Sequence, residues 1–368
     1  MIDQTIVVDA VGHAYNWKQE NWANELAEGF TAGGYGFHHL LSPDNEYRAT
    51  MEEWTRDWQA DELEEIFFKE TVVDVVSYHG TPLDDYFHDG LVAIHKGFEM
   101  KQRNPDRVFL YGPINPLEGD RAIADLERQV SEYGIDGVKL YPARYYRRQT
   151  LPVLLDDTQY TIPVIERALE LGVNVIAVHK AIPFGPTASI NYRTDDVDIA
   201  AALYPEMNFE IVHAGYAFLE DTLILAARFP NVWANLEITA SMAVNNPRRF
   251  ADAIGGLLYW GAGERTMFAS GCTMVHPQPA IEALMNFQVP QDMIDGFGYP
   301  QITDEQKRQI LGENFLRLHG VDQDALKAKL AGDKWSKARE AAGGLEPPWH
   351  NLRKAGAESP RIPAQTPA

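Results

Sequence analysis

The segment TIPVIERALELGVNVIAVH, residues 161–179, joins a helix-like pattern to a strand-like one. Its first part has apolar residues at helical spacing and ends at Gly172, a residue typical of helix ends. Its second part, 173–179, is apolar almost throughout and finishes at His179. Strands with no polar face occur in parallel sheets that helices cover on both sides. The segment therefore predicts one unit of an α/β fold.

The same alternation extends along most of the chain. Helix-like segments such as 120–134 and 218–230 separate short apolar runs. Eight such runs are present, at 5–11, 71–78, 107–114, 137–143, 173–179, 208–214, 231–238 and 266–270. Eight strands in alternation with helices predict a (β/α)₈ TIM barrel. The competing topology is an open doubly wound sheet, but no Gly-x-Gly-x-x-Gly follows the first run, which disfavours dinucleotide binding.

Two parts lie outside the repeat. Residues 14–70 form a long loop after the first strand, and a loop of this length is typical of a lid or a subunit contact. Residues 321–368 contain a helix-like stretch and then a Pro-rich end that cannot build a core. We expect a barrel over 1–320 with 14–70 as its inserted lid. The extension 321–368 is expected to contact a partner, which would cover Trp335, Trp349 and the prolines.

Composition limits the function classes. The chain has 368 residues and a formal charge of −21, a field that repels phosphate backbones and anionic membranes. No apolar run approaches the roughly 18 residues of a spanning helix, and the first residues lack a signal-peptide layout. These features predict a cytoplasmic protein that binds neither nucleic acid nor membrane. Cys272 is the only cysteine, so an intrachain disulfide is excluded.

Three histidines stand at the carboxyl ends of predicted strands. His13, His179 and His213 stand at or close to the carboxyl ends of strands one, five and six, and this end of a TIM barrel carries the chemistry. Three neutral imidazoles suit zinc or iron and leave a coordination position open. The alternative interpretation is three ordinary polar strand ends. We favour convergence on one divalent ion, with a small molecule as substrate.

Two positions lack a group that such a site often has. Asp9, Val11 and His13 are expected to share one face of strand one, so Val11 stands where a second imidazole would reach the ion. At the end of strand eight, Gly271 occupies a position that usually holds a metal-binding aspartate. Glycine offers neither a ligand side chain nor a general base.

The sequence resembles the amidohydrolase superfamily, in the branch of aminocarboxymuconate-semialdehyde and γ-resorcylate decarboxylases. The motifs that carry the resemblance are VVDAVGH, GVKLYP, VIAVH, IVHAG and MFASG at strands one, four, five, six and eight, together with ILGENFLRLHG near residue 320. The resemblance implies a divalent metal at His13, His179 and His213, most simply Zn²⁺, with Fe or Mn as alternatives. Val11 and Gly271 depart from its ligand pattern.

Four further residues are candidates for the site. Cys272 neighbours the vacant acid position and is a candidate extra ligand. Lys139 lies in strand four, where dinuclear members can carry a bridging residue, and is interpreted as a charge in the barrel mouth. Arg144, with a guanidinium that can bind a carboxylate in two places, and His79, which follows strand two, are candidates for lining the substrate site.

A closer similarity is to a subgroup of this branch, the two-subunit hydroxylase components of 2-aminoisobutyrate monooxygenases. The stretches VHKAIPFGP, YHGTPLDDYF and VHPQPAIEAL carry it. It implies that this chain is the subunit with the simpler metal site, in a hetero-oligomer with a homologous partner that has a dinuclear site. The alternatives are a self-sufficient decarboxylase or hydrolase, and a catalytically silent barrel that binds a partner.

Overall fold

Eight parallel strands form one sheet in the computed structural model, which describes residues 5–183 and 185–353. Neighbours in the sheet follow chain order, and each pair is parallel. The strands β1 to β8 are Val8–Gly12, Val75–His79, Val108–Pro113, Gly137–Leu140, Val175–His179, Asn208–Val212, Val232–Asn235 and Thr266–Met267. The amide of Ala10 donates to the carbonyl of Phe268 at 3.0 Å, joining the first strand to the last. The predicted barrel is confirmed.

Burial on both faces explains the apolar strands. In β5, Val175 and Ala177 belong to a small cluster inside the barrel, whereas Ile176 and Val178 pack in the larger cluster beneath the helices. His179 ends the strand on the inner face, because side chains alternate along a strand.

Helices surround the sheet and cover its outer face. Those of the described residues, α1 to α16 in chain order, are Leu26–Leu41, Met51–Trp54, Ala60–Glu65, Ile94–Arg103, Asp120–Tyr133, Thr161–Glu170, Asp195–Leu203, Leu219–Arg228, Met242–Asn245, Pro247–Tyr259, Pro277–Asn286, Gln291–Phe297, Asp304–Arg308, Asn314–Leu318, Gln323–Leu330 and Lys334–Ala342. Two short antiparallel hairpins pair Thr81–Pro82 with Leu91–Val92 and Ala143–Tyr146 with Gln149–Pro152. In the described part of the chain, every helix is too short or too polar to cross a membrane.

The excursion 14–70 folds over the carboxyl end of the barrel. It contains α1, α2 and α3 and is held by an aromatic cluster. The Trp17 ring stacks on Trp54 with centroids 4.5 Å apart and meets Phe87 edge-on at 5.9 Å. This packing fixes α1 above the strand ends that carry the predicted histidines.

The extension packs on its own barrel over the described residues 321–353, while 354–368 lie outside the described residues. Trp335 is buried, contacts Phe68 at 5.4 Å between ring centroids and donates from Nε1 to Asn104. Trp349 is fully buried. The expectation that these tryptophans need a partner to cover them is therefore wrong, because the chain covers them itself. The partner remains a prediction.

Candidate functional site

The three predicted histidines meet at the mouth of the barrel. His179 is the last residue of β5, while His13 and His213 come directly after β1 and β6. All three side chains are buried. His213 has a φ of 66°, in the left-handed region that residues other than glycine seldom adopt. The rings of His179 and His213 lie 4.4 Å apart between centroids.

One nitrogen of each ring contacts a backbone carbonyl. His13 Nδ1 lies 2.8 Å from the oxygen of His79, and His213 Nδ1 lies 3.1 Å from that of Glu237. His179 Nε2 lies 2.8 Å from the oxygen of Ile182. A carbonyl only accepts, so these nitrogens donate, and in its neutral form each ring has a lone pair on the other nitrogen. Metal-binding histidines are commonly oriented by such bonds.

Glu237, two residues beyond β7, closes the cluster, and the sequence analysis missed it. Its Oε1 lies 3.2 Å from His13 Nε2, and its Oε2 lies 3.5 Å from His213 Nε2. Burial alone would raise the pKa of Glu237, but its contacts with His213 and His13 and the nearby Lys139 hold that pKa well below its usual range. The available signal was an acid inside the apolar run 231–238, which was interpreted as part of strand seven.

Two of the imidazoles in this cluster are neutral and face each other. Burial lowers the pKa of His213 to about 4 and that of His179 well below its ordinary value, so both rings are neutral near pH 7. Yet His213 Nε2 lies 3.1 Å from His179 Nδ1, and a proton there would make one ring cationic. Nitrogen lone pairs and a carboxylate that face one another are the donor set of a divalent cation.

The chemistry of the donors thus fits a metal, although the side chains contact each other in pairs. Among the described residues, no three His, Cys, Asp or Glu side chains are spaced as a ready set around one ion. An ion would take the place of the contacts that Glu237 makes with His13 and His213.

A cavity of about 470 Å³ opens above the cluster. Its described lining is mainly aromatic and aliphatic and comprises Tyr15, Trp17, Leu26, Gly29, Phe30, Gly33, Gly34, Phe37, Leu83, Leu91, Tyr141, His179, Ile182, Pro183, Gly185, Pro186, His213, Glu237, Ile238 and Met274. The α1 helix forms one wall with three glycines. A Cβ at Gly29 or Gly33 would meet nothing within 4 Å, so these positions leave room for a ligand.

A family model described as amidohydrolase matches residues 89–321. The chain belongs to the amidohydrolase family. No curated protein matches the sequence.

Solved structures of other proteins resemble this one at low sequence identity. An uncharacterised TIM-barrel protein from Bordetella bronchiseptica is 16% identical, with a TM-score of 0.58, over 88% of this chain and 99% of its own. A 5-carboxyvanillate decarboxylase from Novosphingobium aromaticivorans, complexed with manganese and a nitrobenzoic acid, is 14% identical, with a TM-score of 0.56, over 87% and 97%. A 2,6-dihydroxybenzoate decarboxylase from Rhizobium is 13% identical, with a TM-score of 0.52, over 86% and 98%. The likeness establishes the fold.

Two of the remaining candidates lie beneath the cluster of this amidohydrolase. His79 stacks on Tyr111 at 4.2 Å between centroids, and its carbonyl orients His13. It supports the site from below. Lys139 is fully buried, and its Nζ has no hydrogen-bond partner among the described residues. Burial lowers the pKa of Lys139, an effect that Glu237 and Glu210 oppose.

The other two candidates are engaged elsewhere in the amidohydrolase. Arg144 forms a buried ion pair with Asp85 and a second pair with Asp84. Its guanidinium is therefore committed to the fold. Cys272 packs in the large core cluster, where burial raises the pKa of its thiol well above the usual value. This disfavours the thiolate that a metal would require.

A bulge in β1 overturns the expected common face of Asp9, Val11 and His13. Asp9 pairs with Val76 and Gly12 pairs with Tyr78, so three residue steps of β1 oppose two of β2. The extra residue reverses the alternation. Asp9 consequently leaves the face of His13 and accepts hydrogen bonds from the amide and hydroxyl of Ser270.

Proposed function

We propose that this amidohydrolase is a metal-dependent decarboxylase of a small acid with an apolar, ring-sized body. The observation that carries the proposal is the cavity of about 470 Å³ with an apolar wall and one polar end. Among its described lining residues there is neither lysine nor arginine. A substrate carboxylate would therefore bind at the end formed by His179, His213 and Glu237.

We propose His13, His179 and His213 as the residues that hold the metal, with Zn²⁺ as the first choice and Fe or Mn as alternatives. Imidazole nitrogens suit zinc and iron, whereas manganese prefers oxygen donors. When bound, a divalent ion supplies Lewis-acid polarisation of a substrate oxygen. The manganese in the decarboxylase from Novosphingobium aromaticivorans supports a divalent ion on this fold.

The chain's own residues position the acid and keep water away. Tyr15, Trp17, Phe30 and Phe37 line the cavity and would pack against the body of the substrate, which orients its carboxylate toward the histidines. In the reaction the bond to the carboxyl carbon breaks, CO₂ leaves, and the electron pair stays on the substrate carbon, which takes up one proton. A dry cavity favours loss of the charged group.

Hydrolysis is a second candidate, and Glu237 is the observation that favours it. A hydrolase needs a carboxylate beside the ion to take a proton from water. Gly271 cannot provide one, but Glu237 lies within 3.5 Å of His213 Nε2. The apolar wall favours decarboxylation over attack by water.

The accessory subunit of a 2-aminoisobutyrate-type monooxygenase, in a hetero-oligomer with a dinuclear partner, is the competing proposal. It was predicted from the similarity carried by VHKAIPFGP, YHGTPLDDYF and VHPQPAIEAL, with support from the departures at Val11 and Gly271 and from the tryptophans of the tail. Trp335 and Trp349 are buried on their own barrel, and Glu237 supplies an acid near position 271. The arguments from Gly271 and from the tail tryptophans are therefore weakened, while the sequence similarity and Val11 are unaffected.

The test compares reactions on one matched panel. The full chain is loaded with Zn²⁺ or Mn²⁺ and offered hydroxylated benzoic acids and the corresponding esters and lactones. We expect metal-dependent release of CO₂ from an acid, and loss of both metal and turnover in His179→Ala. Cleavage of esters or lactones alone would identify a hydrolase. Turnover that appears only with a second polypeptide would support the accessory role.

A further inference from the structure

A side chain at position 271 would overlap the space that the Glu237 carboxylate occupies. Gly271 follows β8 with a φ of 73°. A Cβ built on it would lie 2.7 Å from Glu237 Oε1 and 3.1 Å from Glu237 Cγ, well inside the roughly 3.5–4.0 Å at which non-bonded atoms pack. The carboxylate of a residue after strand seven thus fills the space into which a side chain after strand eight would extend.

The carboxylate in that space faces ring nitrogens on both sides. Oε1 contacts His13 Nε2 and Oε2 contacts His213 Nε2, at 3.2 and 3.5 Å. The other nitrogen of each ring is bonded to a backbone carbonyl. An ion that binds His13 and His213 through these nitrogens would therefore also lie within reach of both carboxylate oxygens.

We propose that Glu237 is a direct ligand of the divalent ion and replaces, from strand seven, an acid that is absent from position 271. The inference rests on the proposed metal site, and it adds a carboxylate ligand in place of the acid that is missing at Gly271. Gly271 is then required for a steric reason, because any larger residue would displace the carboxylate. The alternative is that Glu237 only accepts a hydrogen bond from a protonated His13.

The test measures metal binding without reference to turnover. The full chain is stripped with a chelator, and Zn²⁺ affinity is determined by competition with a chromophoric chelator. Glu237→Gln keeps the shape and removes the charge. We expect its affinity to fall by at least about tenfold, since even loss of residues behind the ligands costs that much. The visible spectrum of the Co²⁺-loaded protein should also change, because a ligand is lost.

Glu210→Gln is the matched control. Glu210 is another fully buried acid of the barrel interior, but it is hydrogen-bonded to Tyr111 and Asn235. Its replacement should leave Zn²⁺ affinity within about threefold of the wild type, as expected for a residue away from the ligands. Melting curves of both variants check that the fold is retained.

A double variant tests the shared volume directly. Glu237→Ala with Gly271→Asp returns the acid to strand eight, and aspartate tolerates the left-handed region better than most residues. We expect it to bind Zn²⁺ more tightly than Glu237→Ala alone. Wild-type affinity and an unchanged Co²⁺ spectrum in Glu237→Gln would overturn the inference, provided that His179→Ala loses the metal. If His179→Ala also keeps its metal, the proposed site itself is wrong.

Discussion

Replacement of Trp349 by alanine tests whether the tail belongs to the fold of its own chain. The Trp349 side chain is fully buried, and its Nε1 donates to the carbonyl of Tyr47 at 2.9 Å. Its ring meets His276 edge-on at 5.2 Å between centroids. The backbone amides of Trp349 and His350 donate to the two oxygens of the buried Glu70, at 2.7 and 2.9 Å.

The expected loss of stability is large for a residue so near the end of the chain. Removal of a buried tryptophan costs about 3–5 kcal/mol. The entropy of unfolding is about 2.1 cal/mol/K per residue, or about 0.8 kcal/mol/K for a chain of 368 residues. The loss of stability divided by this entropy gives a fall in the melting midpoint of about 4–6 °C. Deletion of 345–368 should cost at least as much, because it also removes the donors to Glu70.

The assay is urea and thermal unfolding of the purified chain, followed by circular dichroism. Trp260→Ala is the control, because the same side chain is 46% exposed there and its loss should cost less than about 1 kcal/mol. A loss below about 1 kcal/mol for Trp349→Ala would refute the packing argument. It would also restore the expectation that a partner covers the tail.

Three further outcomes are expected. Gly271→Ala should lower Zn²⁺ affinity about as much as Glu237→Gln and cost roughly 1–2 kcal/mol for a left-handed alanine; normal binding in a chelator-competition assay would contradict this. Burial raises the pKa of Asp9 from 3.8 to about 7, so the native state holds a proton that the unfolded state releases. Stability should therefore fall by up to about 1.4 kcal/mol per pH unit between these values as pH rises, and urea titrations at several pH values should show a smaller slope in Asp9→Asn. Arg144→Ala should cost about 3–5 kcal/mol, because the largely buried Asp85 would keep the amide of Tyr145 but lose its cation. Elemental analysis should find the metal content unchanged, and a stable variant that loses its metal would contradict the structural role.

The predicted hetero-oligomer has a separate measurement. Co-expression of the chain with its genomic neighbours, followed by affinity purification, should recover a homologous subunit if the accessory role holds. A chain that purifies alone and still turns over acids would instead support the self-sufficient enzyme.

The barrel and its histidines could be predicted because each depends on a local pattern. Strands buried on both faces leave continuous apolar runs, and the histidines stand where those runs end. Glu237 could not be found in the same way. Its importance comes from its distance to His13 and from the absence of a Cβ at Gly271, and both relations join residues that are far apart in sequence.

The wrong expectations have equally specific causes. Strict alternation failed at Asp9 because one extra residue in β1 reverses the faces. Arg144 was predicted to bind a substrate carboxylate, but its guanidinium is paired with Asp85, a residue far from it in sequence. The interpretation of the tail was based on its prolines. Whether such a segment is ordered depends on its packing against the rest of the chain, and Trp349 packs between Trp58 and His276.

The glycines of α1 determine how the mouth of the barrel can open. This helix contains four glycines, at 29, 33, 34 and 36, and each is roughly 1 kcal/mol less favourable than alanine in a helix. The segment is therefore a poor helix by itself and depends on Trp17 and its neighbours for its shape. Its amide hydrogens should exchange with solvent well before those of the strands beneath it, by local unfolding of the cover alone. Such local unfolding would remove one wall of the cavity while the histidines below remain in place.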